Sequence, residues 1–105
     1  IKEFHQLFDA RTSQNRTTTD ISDAARLATF GGIDRLMVEI DGVVDGFIDD
    51  ETGEVTFAKE GDADNYGIVE EITGRALRSG AKVMAVRKAD IPGGHDLAVI
   101  ARYPI

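Results

Sequence analysis

The sequence predicts an α/β fold, a three-layer α/β/α sandwich with a central mixed sheet. Two short apolar runs, residues 83–86 and 97–101, have the composition of strands that are covered on both faces. Three segments with helical periodicity can supply the covering layers. A length of 105 residues fits one domain with a single hydrophobic core, so we expect residues 1–105 to form one domain.

The first helix is predicted around Phe4, Leu7 and Phe8, which recur at helical spacing with polar residues between them. A polar stretch, residues 12–19, then interrupts the helix. Asp20 is suited to cap the second helix, because its carboxylate can accept a hydrogen bond from a backbone amide of the first turn. The apolar stripe of this second helix consists of Ile21, Ala24, Ala25 and Ala28.

A strand is predicted after the glycine pair at residues 31–32, which can end the second helix. Leu36, Val38 and Ile40 alternate along this strand and should share one face, with Met37 on the other. Such alternation is typical of a strand in a sheet.

Two shorter strands are predicted around Phe47 and at residues 55–57. The six residues between them, 49–54, include Gly53 and have the composition of a hairpin turn. We therefore expect these two strands to pair with each other.

The third helix is predicted over residues 65–79, after a polar loop at residues 61–65. Gly80 should end it. Its inward positions are expected to be Ile68, Val69, Ile72, Ala76 and Leu77. The apolar strands at residues 83–86 and 97–101 follow, joined by a loop.

Composition excludes several classes of protein. The chain has no cysteine, which rules out disulfide scaffolds, thiolate metal sites and cysteine nucleophiles and is compatible with a reducing compartment. No apolar run approaches the roughly 18 residues of a membrane span. We expect a cytoplasmic protein. Because the first residue is Ile1 and not methionine, we also expect the chain to be a piece of a longer protein.

Charge is distributed unevenly along the chain. Residues 39–71 carry twelve acids and one base, whereas residues 72–105 carry two acids and six bases. Nucleic-acid affinity comes largely from lysine and arginine, so the acidic middle segment argues against nucleic-acid binding by the whole surface. Any such contact must use the C-terminal third.

The acidic residues of the predicted hairpin suggest a metal site. They are Asp45, Asp49, Asp50, Glu51 and Glu54. Such carboxylates could hold a hard cation such as calcium, but the cluster lacks the alternating ligands and the sixth-position glycine of a helix–loop–helix calcium site. We favour a solvated hairpin, and we expect no metal and no other cofactor.

The loop of residues 88–96 contains two further candidates. Pro-Gly-Gly at 92–94 could bring backbone amides close to a phosphate, but no lysine follows in the pattern of a nucleotide-binding loop and no helix begins after it. His95 and Asp96 could form a proton-transfer pair, although the sequence places no serine nucleophile beside them. We favour a flexible connection with a surface histidine, and we do not expect an enzyme.

The bases of the C-terminal third are the candidate contacts for RNA or for a protein partner. They are Arg75, Arg78, Lys82, Arg87, Lys88 and Arg102. Only Tyr103 accompanies them as an aromatic platform for bases. The alternative is that these side chains are solubilising charges at the ends of helices and strands.

Three stretches of the chain follow the order of a known family. The first, residues 19–39 (TDISDAARLATFGGIDRLMVE), combines a capped helix, a small-residue turn and a strand. The second, residues 68–86 (IVEEITGRALRSGAKVMAV), combines an amphipathic helix and a strand. The third, residues 92–103 (PGGHDLAVIARY), combines a glycine-containing loop and a strand. In this order they resemble the C-terminal domain of archaeal and eukaryotic class 1 peptide-chain release factors and of the related ribosome-rescue protein Pelota. Bacterial homologues of these factors are more similar, since residues 46–57 (GFIDDETGEVTF) also have a counterpart there.

The resemblance implies an α/β/α sandwich related to the ribosomal-protein fold that binds kink-turn RNA. In the family this domain binds protein partners, including the translational GTPase, while a Gly-Gly-Gln loop of another domain carries peptide release. The present chain contains no Gly-Gly-Gln, which agrees with a C-terminal piece. Its acidic middle segment departs from the RNA-binding relatives.

We therefore expect a non-catalytic protein-interaction domain of a bacterial release-factor-like protein. It would act in translation termination or ribosome rescue, with the ribosome or a translation factor as its partner. The alternative is an RNA-binding module that uses the basic C-terminal third. An enzyme would need His95 with Asp96, or the acidic hairpin with a metal. A homodimer formed through an exposed hydrophobic edge is compatible with the sequence.

Overall fold

The computed structural model describes residues 2–40, 44–57 and 66–105, and within these ranges it contains three α-helices and seven strands. In chain order they are α1 (Lys2–Thr12), β1 (Thr17–Thr18), α2 (Ile21–Thr29), β2 (Ile33–Glu39), β3 (Asp45–Ile48), β4 (Val55–Phe57), β5 (Tyr66–Gly67), α3 (Ile68–Arg78), β6 (Lys82–Val86) and β7 (Leu97–Ala101). Two short 3₁₀ turns, Lys88–Asp90 and Pro92–Gly94, connect β6 to β7.

The main sheet has four strands in the order β1-β7-β2-β6. Strand β2 is parallel to β6 and antiparallel to β7, and β1 is antiparallel to β7. The sheet is therefore mixed, as predicted. The prediction that residues 83–86 and 97–101 share a sheet with the strand around Leu36 is confirmed.

Helices cover this sheet on both faces. On one face α2 and α3 enclose a cluster that includes Leu36, Val38 and Val99. On the other face α1 contributes Phe4 to a second cluster with Met37. The single expected core is thus two apolar clusters separated by the sheet, because alternate side chains of the inner strands point to opposite faces. The predicted three-layer sandwich is confirmed.

One prediction about the main sheet is wrong. The segment 83–86 is not covered on both faces, because β6 lies at the edge of the described sheet with Met84 and Ala85 exposed. Ile40, which was predicted to share a face with Leu36 and Val38, follows the last residue of β2, is 61% exposed and lines a surface groove together with Val38. A short apolar run does not reveal whether a second strand lies beside it, so composition alone could not distinguish an edge strand from an interior one.

Helix α2 begins and ends as predicted. The Asp20 carboxylate accepts a hydrogen bond from the Asp23 amide at 3.0 Å, and Gly31, at φ +71°, lies in the left-handed region that favours glycine. Ala24, Ala25 and Ala28 are buried, and Ile21 packs partly buried against the same cluster.

Helix α3 is shorter than predicted. It begins at Ile68, and a two-residue strand, β5, occupies the preceding positions. Of the five expected inward residues, Ile68, Val69, Ile72 and Ala76 are buried. Leu77 was predicted to point inward and is 56% exposed instead. The predicted polar loop at residues 61–65 lies outside the described residues.

The predicted hairpin is confirmed. Strands β3 and β4 are antiparallel, with Phe47 opposite Thr56, and β5 pairs with the other side of β3. These three strands form a small second sheet. Ile48 of β3 is fully buried in the cluster that includes residues of α2 and α3. The hairpin therefore packs against the same helices that cover the main sheet.

One short strand was not predicted. Thr17–Thr18 lies within the polar stretch and pairs with Val99 and Ile100. The Arg16 side chain supports this pairing, since its Nε donates to the Ala101 carbonyl oxygen at 3.0 Å. The polar composition of these residues did not predict a strand, because the strand is stabilised by its backbone pairing with β7.

Candidate functional site

The six candidate bases do not form one cluster. Arg78 ends α3, Lys82 begins β6, and Arg87 and Lys88 follow β6. Lys82 and Arg87 are five residues apart along extended chain, a separation of about 16 Å. The structure therefore does not gather these side chains into one compact basic patch.

Arg75 is a buried structural residue and not a surface contact. Its side chain is 8% exposed. Nε donates to Glu71 Oε1 at 2.9 Å, and Nη1 donates to Thr29 Oγ1 at 2.7 Å. Nη2 donates to the Ile48 carbonyl oxygen at 3.3 Å and to Asp50 Oδ1 at 2.6 Å. These bonds join α3 to α2 and to the hairpin, so Arg75 is not available to RNA or to a partner.

Arg102 is also engaged within the fold. Its Nε donates to the Ile33 carbonyl oxygen at 3.0 Å and its Nη2 to the Ser79 carbonyl oxygen at 2.6 Å. Ser79 follows α3, and Ile33 begins β2. Arg102 thus ties the end of the chain to two other elements, and its donors are largely occupied.

His95 and Asp96 lie between the second 3₁₀ turn and β7. Both residues line a shallow cleft with Ser22, but among the described residues no hydrogen bond joins His95 to either of them. Asp96 instead faces the ammonium of Lys88, with Nζ and Oδ1 3.5 Å apart. The arrangement therefore lacks the base–nucleophile hydrogen bond that covalent catalysis needs.

One carboxylate of the acidic hairpin, that of Asp49, is hydrogen-bonded to the hairpin backbone. Asp49 Oδ1 accepts hydrogen bonds from the Thr52 and Glu51 amides at 2.9 and 2.8 Å. Chiefly because of the Thr52 amide and then the Glu51 amide, the pKa of Asp49 lies below its ordinary value. Asp50 bonds Arg75. In the part of the chain that the structure describes, no group of acidic or histidine residues is arranged to hold a metal ion.

The open edge of β6 is the strongest candidate for a surface that binds another molecule. Residues of β6 pair with β2 on one side, and no described strand pairs with the other. A groove runs along each face of this edge. We define the α1 groove as the one lined by Glu3, Phe4, Arg35, Lys82 and Met84, and the α3 groove as the one lined by Val38, Glu39, Ile40, Val69, Glu70, Thr73 and Ala85.

Two cations stand side by side in the α1 groove. Arg35 and Lys82 are Cα partners in the β2–β6 register, so their side chains share one face of the sheet. Within the described residues, neither side chain forms an ion pair or a hydrogen bond. The sequence analysis included Lys82 but missed Arg35, since its cross-strand neighbour becomes evident only from the register.

Comparison with solved structures gives a similar fold over almost the whole chain. The C-terminal domain of peptide chain release factor from Methanosarcina mazei superposes with a TM-score of 0.71, at 18% sequence identity, over 99% of this chain and 82% of that chain. No protein-family model matches the chain, and no curated protein matches it.

The similarity establishes the fold. The chain has the architecture of a release-factor C-terminal domain, as its sequence resemblance implied. Within the described ranges, no helix of this fold is long and apolar enough to cross a membrane.

Proposed function

We propose that this chain is a non-catalytic protein-interaction domain of a release-factor-like protein. In this proposal the protein is bacterial and cytoplasmic and belongs to the group that includes Pelota. It acts in translation termination or ribosome rescue, and its partner is the ribosome or a translation factor.

The observation that carries this proposal is the fold similarity over 99% of the chain to a release-factor C-terminal domain. The side chains support it in a second way. Among the described residues His95 is not hydrogen-bonded to Asp96 or Ser22, and two of the hairpin acids are already engaged, Asp49 with the hairpin backbone and Asp50 with Arg75. The open edge of β6 and its two grooves, in contrast, offer a surface suited to another protein.

Cosedimentation with ribosomes tests the proposal. The tagged chain is mixed with purified ribosomes and translation factors and centrifuged through a sucrose cushion, and the tag is also used to retain individual factors. We expect the chain to pellet with ribosomes or to retain a translation factor at physiological salt. A tagged domain of equal size and net charge of −7 serves as the control. Failure in both assays would reject the translational role.

RNA binding is the second candidate. It is favoured by the exposure of Arg78, Lys82 and Arg87, none of which is fixed by a hydrogen bond among the described residues. Arg75 cannot serve in its test, because its replacement would disturb α2, α3 and the hairpin. Replacing the three exposed bases with glutamate should abolish RNA affinity, and added salt should weaken it steeply. A filter-binding assay that detects no affinity at low salt would remove this candidate.

A further inference from the structure

We propose that the open edge of β6 binds an extended segment of a partner protein, which adds a strand to the main sheet. The inference rests on the proposed function as a protein-interaction domain. The segment would carry apolar side chains at alternate positions and an acidic side chain beside Arg35 and Lys82.

Backbone geometry favours a strand as the occupant. The five residues Lys82–Val86 form β6, whereas β1 at the opposite edge of the main sheet has only two. A strand edge presents amides and carbonyls that an added strand can pair with. The apolar core of β6, residues 83–86, has no charge that would discourage such pairing.

The two grooves match the side-chain alternation of an added strand. Successive side chains of a strand point to opposite faces, and one groove flanks each face of β6. Met84 is 38% exposed in the α1 groove, and Ala85 is exposed in the α3 groove. Apolar side chains at alternate positions of the segment would therefore enter both grooves.

Charge specifies the segment further. Arg35 and Lys82 are adjacent like charges with no anion bound to them among the described residues. Glu3 lines the same groove but forms no ion pair with either of them. An acidic side chain of the bound segment would meet both cations, which gives electrostatic complementarity and fixes the register.

A second copy of β6 would not supply the anion that these cations lack. If two copies of β6 paired antiparallel about Met84, Lys82 of one copy would lie across from Val86 of the other. No acidic residue would face Lys82 at either end of the pairing, so this self-pairing offers no opposite-charge contact. The edge therefore suits a partner with an acidic end better than it suits a second copy.

Synthetic peptides test the inference. Each has about eight residues, with valine at alternate positions and threonine between, and carries two aspartates at the amino or at the carboxyl end. Matched peptides carry lysines instead. Binding to the 105-residue chain is measured by titration calorimetry, and amide hydrogen exchange locates it. We expect one acidic peptide to bind and to slow exchange in β6 but not in β1.

A charge reversal provides the decisive comparison. In the double variant Arg35→Glu, Lys82→Glu, binding of the acidic peptide should weaken about tenfold, because two attractive contacts become repulsive, while the lysine peptide should gain affinity. Arg78→Glu, at the end of α3 and outside both grooves, should leave both affinities unchanged. If the double variant fails to fold, the exposed Lys82→Glu alone supplies the comparison.

Several results would overturn the inference. One is that neither acidic peptide binds. Another is that the peptide affinities do not change when Arg35 and Lys82 are reversed to glutamate. The third is that the chain forms a dimer in which the β6 amides are already protected from hydrogen exchange without peptide. Ribosome cosedimentation without peptide binding would reject this inference and leave the proposed function standing. Peptide binding by a chain that neither pellets with ribosomes nor retains a translation factor would reject the proposed function alone.

Discussion

At the scale of single residues, Arg75 illustrates how burial changes the role of a charge. In sequence it resembles the other helix-end bases, and its position in the last turn of α3 suits the helix dipole. In the structure it donates five hydrogen bonds to five residues, three through side-chain oxygens and two through backbone carbonyl oxygens. A guanidinium can do this because its donors form a planar fork that reaches several acceptors at once.

Replacing Arg75 with leucine should lower the free energy of unfolding by about 2 kcal/mol, because the Ile48 carbonyl and the Thr29 hydroxyl lose a donor. The bond to Asp50 contributes little, since that carboxylate is 90% exposed. Urea denaturation measures the change. Arg78→Leu is the matched control, and at 69% exposure it should alter stability by less than about 0.5 kcal/mol. Equal losses in the two variants would contradict the structural role of Arg75.

The Asp49 carboxyl should titrate below its ordinary pKa, because two backbone amides stabilise its charged form. A pKa lowered by folding stabilises the native state above the unfolded pKa, and this contribution is lost as pH falls through the folded pKa. Asp49→Ala should therefore be less stable than the parent chain at neutral pH, and the difference should shrink in acid. Carbon-detected NMR titration and urea denaturation at a series of pH values measure both effects.

Asp49→Asn provides the control for this titration. Its amide oxygen can accept the same two hydrogen bonds but does not ionise. We expect it to retain most of the stability at neutral pH and to lack the acid-dependent loss. A pKa for Asp49 at or above its ordinary value would refute the explanation.

At the scale of elements, local patterns predicted the parts of the fold that local chemistry specifies. The Asp20 cap, the alanine stripe of α2 and the hairpin turn each depend on residues close in sequence, and all three were predicted correctly. The edge position of β6 and the pairing of Thr17–Thr18 depend on strands distant in sequence. Hydrophobic periodicity carries no information about such neighbours.

The same distinction applies to the candidate site. The sequence identified Lys82 as a possible contact but not Arg35, its partner across β2 and β6. The two residues are 47 positions apart in sequence, so only the strand register shows that they are neighbours. Conversely, Arg75 and Arg102 were predicted as contacts and are occupied by internal hydrogen bonds. Which cation remains available depends on the acceptors that folding brings near it.

Packing of the hairpin against α3 depends on Gly46. A Cβ atom at this position would overlap the Thr56 carbonyl oxygen and Ile68 Cδ1. Gly46→Ala should therefore lower the free energy of unfolding by about 2 kcal/mol, through overpacking. Thermal and urea denaturation check the value.

Gly74→Ala is the opposite case and serves as the comparison. A Cβ there would meet only the flexible Arg78 Nη1, at 3.4 Å, and alanine favours a helix interior. We expect a gain of about 0.5 kcal/mol. If Gly74→Ala lowered the free energy of unfolding as much as Gly46→Ala, the space around each glycine would not explain its effect.

At the scale of the whole molecule, the sheet needs both helical layers. Strand β7 is buried along its entire length, and its side chains enter the α2–α3 cluster and the α1 cluster alternately. The α1 layer is the thinner of the two, since one helix supplies it. Phe4 is the only buried residue of α1 in the described structure, with Leu7 and Phe8 partly buried.

The contribution of the α1 layer can be measured at Phe4, which is 4% exposed and stacks on Phe8 with ring centroids 6.0 Å apart. Phe4→Ala should lower the free energy of unfolding by about 3 kcal/mol, because it leaves a cavity over Met37 and Ile100. Phe30→Ala, at 63% exposure, should change it by less than about 0.5 kcal/mol. Since Phe4 also lines the α1 groove, the peptide affinity should fall in Phe4→Ala as well. A Phe4→Ala chain of unchanged stability would mean that α1 is not a necessary layer of the sandwich.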